Sequence, residues 1–278
     1  MQTIDSTDYV LGHDNHELAR LMNQAAFYGE LTHELFRLAG ISSGMSVIDV
    51  GCGAGDVSFL AAAMVGPSGR VLGVDKSPDA IATATARAEQ AGLRNVRFEV
   101  GEVASLAIDQ PVDAIVGRLV LLYMPDPSAT LAQLATLVKA GGVLAFQEMD
   151  MPAGKTSPPC SLFDDTLASL CETFRRVGCD PQIALRLGPI FERAGLPSPK
   201  MIQGARVERG PGNAAAAQLA QVTRTLLPAM ERTGVATLES IDIDTLEARV
   251  LEQMLALDAT AISPPLIGAW TRTHRVTG

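Results

Sequence analysis

The nine residues VIDVGCGAG, Val47 to Gly55, constrain this 278-residue chain more than any other feature. An apolar, strand-like start holding Asp49 runs straight into Gly51, Gly53 and Gly55, and then into the Ala-rich stretch Asp56–Val65. Glycines in that position let the backbone approach a ligand between a strand and a helix whose first N–H groups are unpaired. A chain built around such a turn needs a parallel sheet to anchor it. The rest of the central sequence supplies one.

From Met45 to Met149, short β-branched runs alternate with helical stretches, the pattern of βαβ units. Strands are expected at Met45–Val50, Arg70–Val74, Val96–Val100, Val112–Val116 and Val143–Phe146. Helices are expected after Ser77-Pro78, where Ser is a cap and Pro sits at the first helical position, and after Asp126-Pro127, ending at Gly141-Gly142. The pattern predicts an α/β fold with a doubly wound, Rossmann-like sheet and a ligand site at the carboxyl ends of its strands. Outside it, Glu17–Ala39 reads as one or two amphipathic helices. Leu162–Val177, Leu187–Ala194, Asn213–Met230 and Leu246–Leu257 read as further helices, and Met201–Val207 and Leu266–Thr271 as late strands. PAGKTSPP, Pro152 to Pro159, reads as a linker. The division expected is an N-terminal helical lid over 1–40, a core over 41–150, and a remainder over 151–278 with cap helices inserted at about 160–180 and 213–257.

Charge narrows the partners. The 22 Lys+Arg against 31 Asp+Glu give a formal net charge of −9. An acidic surface repels phosphate backbones and anionic lipid, so neither nucleic acid nor membrane is expected as a partner. The start MQTIDSTDYV has no basic or apolar leader region, and the 4 cysteines show no CxxC spacing. A cytoplasmic protein, monomer or homodimer, without a metal site is expected.

Three details separate the glycine loop from a dinucleotide-binding turn. Its spacing is GxGxG rather than GxGxxG. Asp49 precedes the glycines and Asp56 follows them, and no Lys, Arg or His occurs from Ser46 through Ser68. That setting suits a ligand carrying positive charge better than a pyrophosphate, which disfavours an NAD-dependent oxidoreductase. Asp75, ending the second strand, is placed to accept from both hydroxyls of an unphosphorylated ribose. Gly101-Glu102-Val103, after the third, offers a carboxylate and an amide to an adenine edge. A nucleoside with a cationic tail and no phosphate describes S-adenosylmethionine (SAM).

These motifs resemble those of class I SAM-dependent methyltransferases acting on small molecules. The resemblance rests on VIDVGCGAG, VLGVD (Val71–Asp75), FEVGEV (Phe98–Val103), the run VDAIVGRLVLLYMPDP from Val112, and LVKAGGVLAFQE (Leu137–Glu148). It implies a sheet of seven strands, and contacts from Asp49, Gly51, Cys52, Gly53 and Gly55 to the methionine end of SAM. It also implies Asp75 on the ribose, Glu102 and Val103 on the adenine, and the Lys76 stem covering that ring. The family usually has Asp where Glu102 stands. The product would be S-adenosylhomocysteine (SAH), and the partner a small methyl acceptor.

Methyl transfer from a sulfonium needs alignment, exclusion of water and, for some acceptors, removal of a proton. Strand four lacks the Asn/Asp-Pro-Pro-aromatic turn resembling that of exocyclic-amine methylases, and no Asp-Asp-Asn pattern suggests a magnesium site. A small, largely apolar acceptor is left, an electron-rich phenol or indole by preference, methylated at C, O or N. Candidates for chemistry are Glu148 as base, Tyr28 and His33 from the lid, and Arg118 orienting an anionic or carbonyl group. Arg118 is equally a candidate cofactor contact, and an Arg118–Glu148 ion pair is the plain structural alternative. Tyr9 or Tyr28 is expected to close over the sulfonium or to hydrogen-bond the cofactor carboxylate; His13 and His16 read as surface residues. A protein that binds SAM without transferring its methyl group, as an effector or to promote a cyclisation, is the alternative function.

Overall fold

The computed structural model describes the backbone of residues 15–274, and side chains from Phe27 onward except Ala104. Elements follow in chain order: α1 (Asn15–Ala39), β1 (Ser46–Val50), α2 (Asp56–Val65), β2 (Arg70–Asp75), α3 (Pro78–Gln90), β3 (Val96–Val100), β4 (Val112–Arg118), α4 (Pro127–Ala135), β5 (Val138–Met149) and β6 (Lys155–Ser157). Then come α5 (Ser161–Arg176), α6 (Leu187–Arg193), β7 (Lys200–Gly204), β8 (Val207–Arg209), α7 (Ala215–Thr233), α8 (Leu238–Ile241), α9 (Ile243–Ala256), β9 (Thr260–Ile262) and β10 (Leu266–Arg272).

Seven strands form the main sheet in the order β3-β2-β1-β4-β5-β10-β7. The five from β3 to β5 run parallel, and β10 is antiparallel to both its neighbours. The winding reverses between β1 and β4, which puts the switch point, and any ligand crevice, at their carboxyl ends. Local chemistry sets the helix starts. Ser77 accepts from the Ala80 amide (3.2 Å) and Asp126 from that of Ala129 (2.9 Å), each just ahead of a proline at the first helical position.

Two layers cover the sheet. Helices α1 and α2 pack Leu35, Phe36, Val57 and Ala61 on Val47, Val116 and Ala145. The opposite face, with Ile48, Ile115, Leu144 and Phe146, meets Leu131 and Leu134 of α4 and Ile190 and Phe191 of α6. A third core joins α5, α7 and α9 through Phe163, Leu170, Leu226, Met230, Val250 and Met254. A small antiparallel sheet, β6-β9-β8, underlies those helices.

Four expectations need correction. The helix after Asp126 stops at Ala135, and Gly141-Gly142 lie inside β5. They lie where the β4–β5 register shifts; a Cβ on Gly142 would stand 2.5 Å from Val138 Cγ1 and 2.7 Å from the Asp113 carbonyl. Pro152–Pro159 is not a free linker, since it contains β6. Met201–Val207 is not one strand: β7 ends at Gly204 in the main sheet and β8 begins at Val207 in the small one. Strand β9 was not expected at all.

Candidate functional site

Strand β1 delivers Asp49 to the switch point, and the chain then turns through Gly51, Gly53 and Gly55 at φ of 68°, 52° and 91°. All three angles lie in the region that favours glycine. The turn is fastened to β2: the Gly51 and Cys52 amides donate to the Val74 carbonyl (2.8 and 3.1 Å). Asp75 accepts from the Gly53 amide (2.9 Å) and the Ser77 amide (3.0 Å), so it ties the glycine loop to the loop after β2. A Cβ on Gly51 would stand 2.5 Å from Val120 Cγ2, so the post-β4 segment lies against the loop. The Cys52 thiol is buried and pushed well up by desolvation, which makes it a packing group rather than a nucleophile.

Asp49 is 1% exposed. The Ser58 hydroxyl on α2 donates to its Oδ2 (2.6 Å), while its Oδ1 is buried without a partner. Burial pushes the carboxyl up to about 7; the Ser58 hydrogen bond and the charge of Arg118 oppose that shift. A buried acid with a spare oxygen has a use for a cation. Asp56 is different: Arg87 of α3 pairs with it at 2.6 Å and also donates to the Ala54 carbonyl. Sequence reading missed Arg87 because it is 31 residues away and only the α2–α3 packing brings it to the loop. It neutralises Asp56 and leaves Asp49 and Asp75 as the acids of the loop.

Strand parity sorts the remaining candidates. Asp49 is paired with Val116 on β4, and Arg118 with Gln147 on β5. Asp49, Val116, Arg118 and Gln147 therefore point to the face covered by α1 and α2. Glu148, one residue on, points to the other face. There it is fully buried, and its Oε1 accepts from the Val120 (3.0 Å) and Leu121 (2.7 Å) amides. The alternative of an Arg118–Glu148 ion pair is thus overturned, and Glu148 stands apart from Asp49 and Arg118 rather than beside them. Desolvation pushes its carboxyl up to about 8, against those amide hydrogen bonds, and Oε2 has no partner. What it fixes is the segment leaving β4, where Leu119 adopts φ 55° and donates its amide to the Gln147 carbonyl (2.8 Å).

Thr32 of α1 reaches Arg118 and Gln147. It is fully buried, accepts from Arg118 Nη1 (3.1 Å) and donates to Gln147 Oε1 (2.8 Å). Neither Thr32 nor Gln147 was singled out by sequence; the i, i+4 inward stripe Tyr28, Thr32, Phe36 was the available signal for the first. Tyr28 is buried, stacks edge-on against Phe27 (4.8 Å) and lies close enough to Arg118 to act on its charge. His33 lies on the exposed side of α1. On the nucleoside side, Gly101 donates to the Asp75 carbonyl (2.9 Å), Val103 is buried, and Glu102 and Lys76 are exposed. Tyr9 and His13 lie outside the described residues, as does the side chain of His16.

A methyltransferase domain family matches residues 41–195, more than half the chain. The chain belongs to that family. Trans-aconitate 2-methyltransferase of Methylobacterium radiotolerans is 32% identical over 161 residues, 58% of this chain and 58% of that protein. Aklanonic acid methyltransferase DauC of Streptomyces sp. (strain C5) is 31% identical over 129 residues, 46% of this chain and 59% of that one. These matches, with the others ranked beside them, span 29–59% of the relatives' own lengths. The YcgJ protein of Bacillus subtilis shares the fold, with a TM-score of 0.57 at 16% identity, over 88% of this chain and 99% of that one. The Rossmann-like class I methyltransferase fold expected from the motifs is therefore the fold found. No described helix is long and apolar enough to cross a membrane.

Proposed function

We propose that this methyltransferase-family chain transfers the methyl group of SAM to a small, largely apolar acceptor, an electron-rich phenol or indole ring being the class favoured. The observation that carries the reading is Asp49. Its buried, unpartnered Oδ1 stands at the switch point beside a glycine loop where Gly51 leaves no room for a side chain. That combination suits the ammonium and sulfonium of SAM and fits a pyrophosphate badly. Asp75 would hold the ribose, with Val103 and Glu102 at the adenine and the Lys76 stem over it. The loop from Gly51 to Gly55 would follow the methionine end. When bound, SAM supplies an activated methyl group; the chain's task is to align the acceptor and keep water out.

Apolar lining for an acceptor is at hand where the sheet meets the cap: Leu122, Tyr123 and Met149 are partly buried against the α5–α7–α9 core. Tyr28, on the same face as Arg118, is the proton-accepting candidate for a phenol or amine; Glu148, facing away with its Oε1 committed, is not. The test is a metabolite-extract screen with methyl-labelled SAM, reading acceptor mass together with SAH. Labelled product with SAH supports transfer. Tight SAM binding without any labelled product would favour the effector or cyclisation reading, and NAD binding with comparable affinity would end both. Asp75→Ala should weaken SAM by ~2–4 kcal/mol if it holds the ribose.

A further inference from the structure

Where the chain leaves the main sheet for the small one, between β7 and β8, the backbone of Arg206 is fixed. Its amide donates to the Ser263 hydroxyl and its carbonyl accepts from the Ser263 amide, both at 2.9 Å. Ser263 is buried in the return crossing, between β9 and β10, so this pair joins the two crossings. The Arg206 side chain lies over α1, with its guanidinium carbon 5.1 Å from the centre of the Phe27 ring. Glu208 of β8 holds that guanidinium, accepting from Nε on Oε1 at 2.9 Å. Its Oε2 accepts from the Ala214 amide at 3.2 Å, one of the N–H groups that the start of α7 leaves without a helical partner. One arginine thus meets both sheets, the lid helix and a cap helix.

Phe27 is buried, and its ring meets the Tyr28 ring at 4.8 Å with the planes at 87°. The two rings form a small cluster with Leu266, and Leu31, Leu119 and Met149 pack against it. Met149 also packs on the α5–α7–α9 core, so the rings border the apolar lining assigned to the acceptor. Helix α1 therefore has two seats. Leu31 and Leu35 rest on Gly204 and Gly268, and these carry Thr32. Phe27, one turn before Leu31, is clasped by Arg206, and this carries Tyr28. Taken alone, an ion pair whose arginine is 37% exposed stabilises little; here it gives the guanidinium its direction over the ring.

We infer that Arg206 is a positioning residue for methyl transfer: its clasp on Phe27 sets Tyr28 against the acceptor, and Glu208 fixes the clasp to the cap helix α7. This rests on the reading above, in which Tyr28 serves the acceptor. Arg206 acts through the two rings, at the junction where lid and cap meet, and leaves the seat of Thr32 as it is. Losing the clasp should therefore impair transfer while sparing the cofactor.

The experiment is the labelled-SAM assay in the same metabolite extract, run at saturating SAM, beside SAH calorimetry. Arg206→Met and Phe27→Leu should each slow label transfer about 10- to 100-fold, while SAH affinity stays within about threefold of wild type. The double variant should be no slower than the slower single one, since both cut one path. Arg206→Lys keeps a cation over the ring and should recover transfer to within about threefold of wild type. Retained SAH binding shows that each variant is folded. The assignment is overturned if Arg206→Met transfers label as wild type does, if Arg206→Lys is as slow as Arg206→Met, or if SAH affinity falls in step with transfer. In each of those cases label transfer by wild type leaves the proposed function standing. If wild type transfers no label, that function itself fails and takes the positioning role with it.

Discussion

Arg118 stands opposite Gln147 in the parallel β4–β5 pair, and Glu148 points through the sheet to its other face. The two charged residues at these strand ends therefore belong to different layers. Groups without shared partners contribute additively, usually to within ~0.5 kcal/mol. In urea unfolding, Arg118→Met combined with Glu148→Gln should show no coupling beyond that. Thr32→Val combined with Arg118→Met should show more, because a single hydroxyl serves both side chains. A coupling above ~1 kcal/mol for the first pair would contradict the parity assignment.

Asp49 should make cofactor binding depend on pH. With its carboxyl pushed up to about 7, the free protein carries a neutral acid there below that pH. A cationic ligand favours the ionised form, so binding below about 7 must first release the proton. SAH affinity is expected to rise with pH up to about 7 and level off above it, approaching tenfold per pH unit well below. Asp49→Asn should bind more weakly and without that slope. Calorimetry in buffers of different ionisation heat reads the released proton directly; a wild-type affinity flat across neutral pH would remove Asp49 from the site.

Glu148 should act on stability rather than turnover. Its folded carboxyl is raised from 4.5 to about 8, so the native state holds the proton more tightly than the unfolded chain. The stability linked to that proton is present in full below pH 4.5 and is lost as pH rises through about 8. Glu148→Gln keeps an acceptor for the Val120 and Leu121 amides and cannot titrate. It should match wild type near pH 5 and melt a few degrees higher near pH 8, at about 2–4 °C per kcal/mol. Asp49 adds a slope of the same sign between 3.8 and about 7, so the variant's profile is shallower, not flat. A fall of ~10²–10⁴ in turnover would instead make Glu148 the proton acceptor.

Much of the core could be read from sequence because its signals are local. The glycine spacing, the caps at Ser77-Pro78 and Asp126-Pro127 and the β-branched runs each report on a few neighbouring residues, and α2 and β3 begin and end where those signals put them. What escaped depends on pairing. Gln147 and Glu148 are adjacent polar residues in an apolar strand, and only the register with β4 decides which of them meets Arg118. Arg87 reaches Asp56 through helix packing, and β6 and β9, three residues each, are too short for a period-2 pattern. Gly141-Gly142 carried the usual helix-stop signal, but the close approach of Asp113 and Val138 required glycine inside a strand instead.

The seat of α1 supplies the last prediction. The helix lies on β7 and β10 over two glycines, with Leu31 against Gly204 and Leu35 against Gly268. A Cβ on Gly268 would stand 2.6, 2.8 and 3.1 Å from three side-chain atoms of Leu35, which is fully buried and has nowhere to turn. A Cβ on Gly204 would meet only one Leu31 atom closely, at 2.6 Å, with the next at 3.5 Å, and Leu31 is partly exposed. Gly268→Ala should therefore lift the helix, at a cost of ~1–3 kcal/mol, whereas Gly204→Ala should be absorbed by a rotation of Leu31. Lifting α1 withdraws Thr32, which sits one turn from Leu35, from Arg118 and Gln147. Gly268→Ala should thus weaken SAH by several-fold and leave unchanged the binding of 5′-methylthioadenosine, which lacks the amino-acid end, reproducing Thr32→Val without altering any polar side chain. Equal loss of both ligands would mean that α1 supports the whole crevice; no loss of either would mean that Arg118 keeps its direction without the helix.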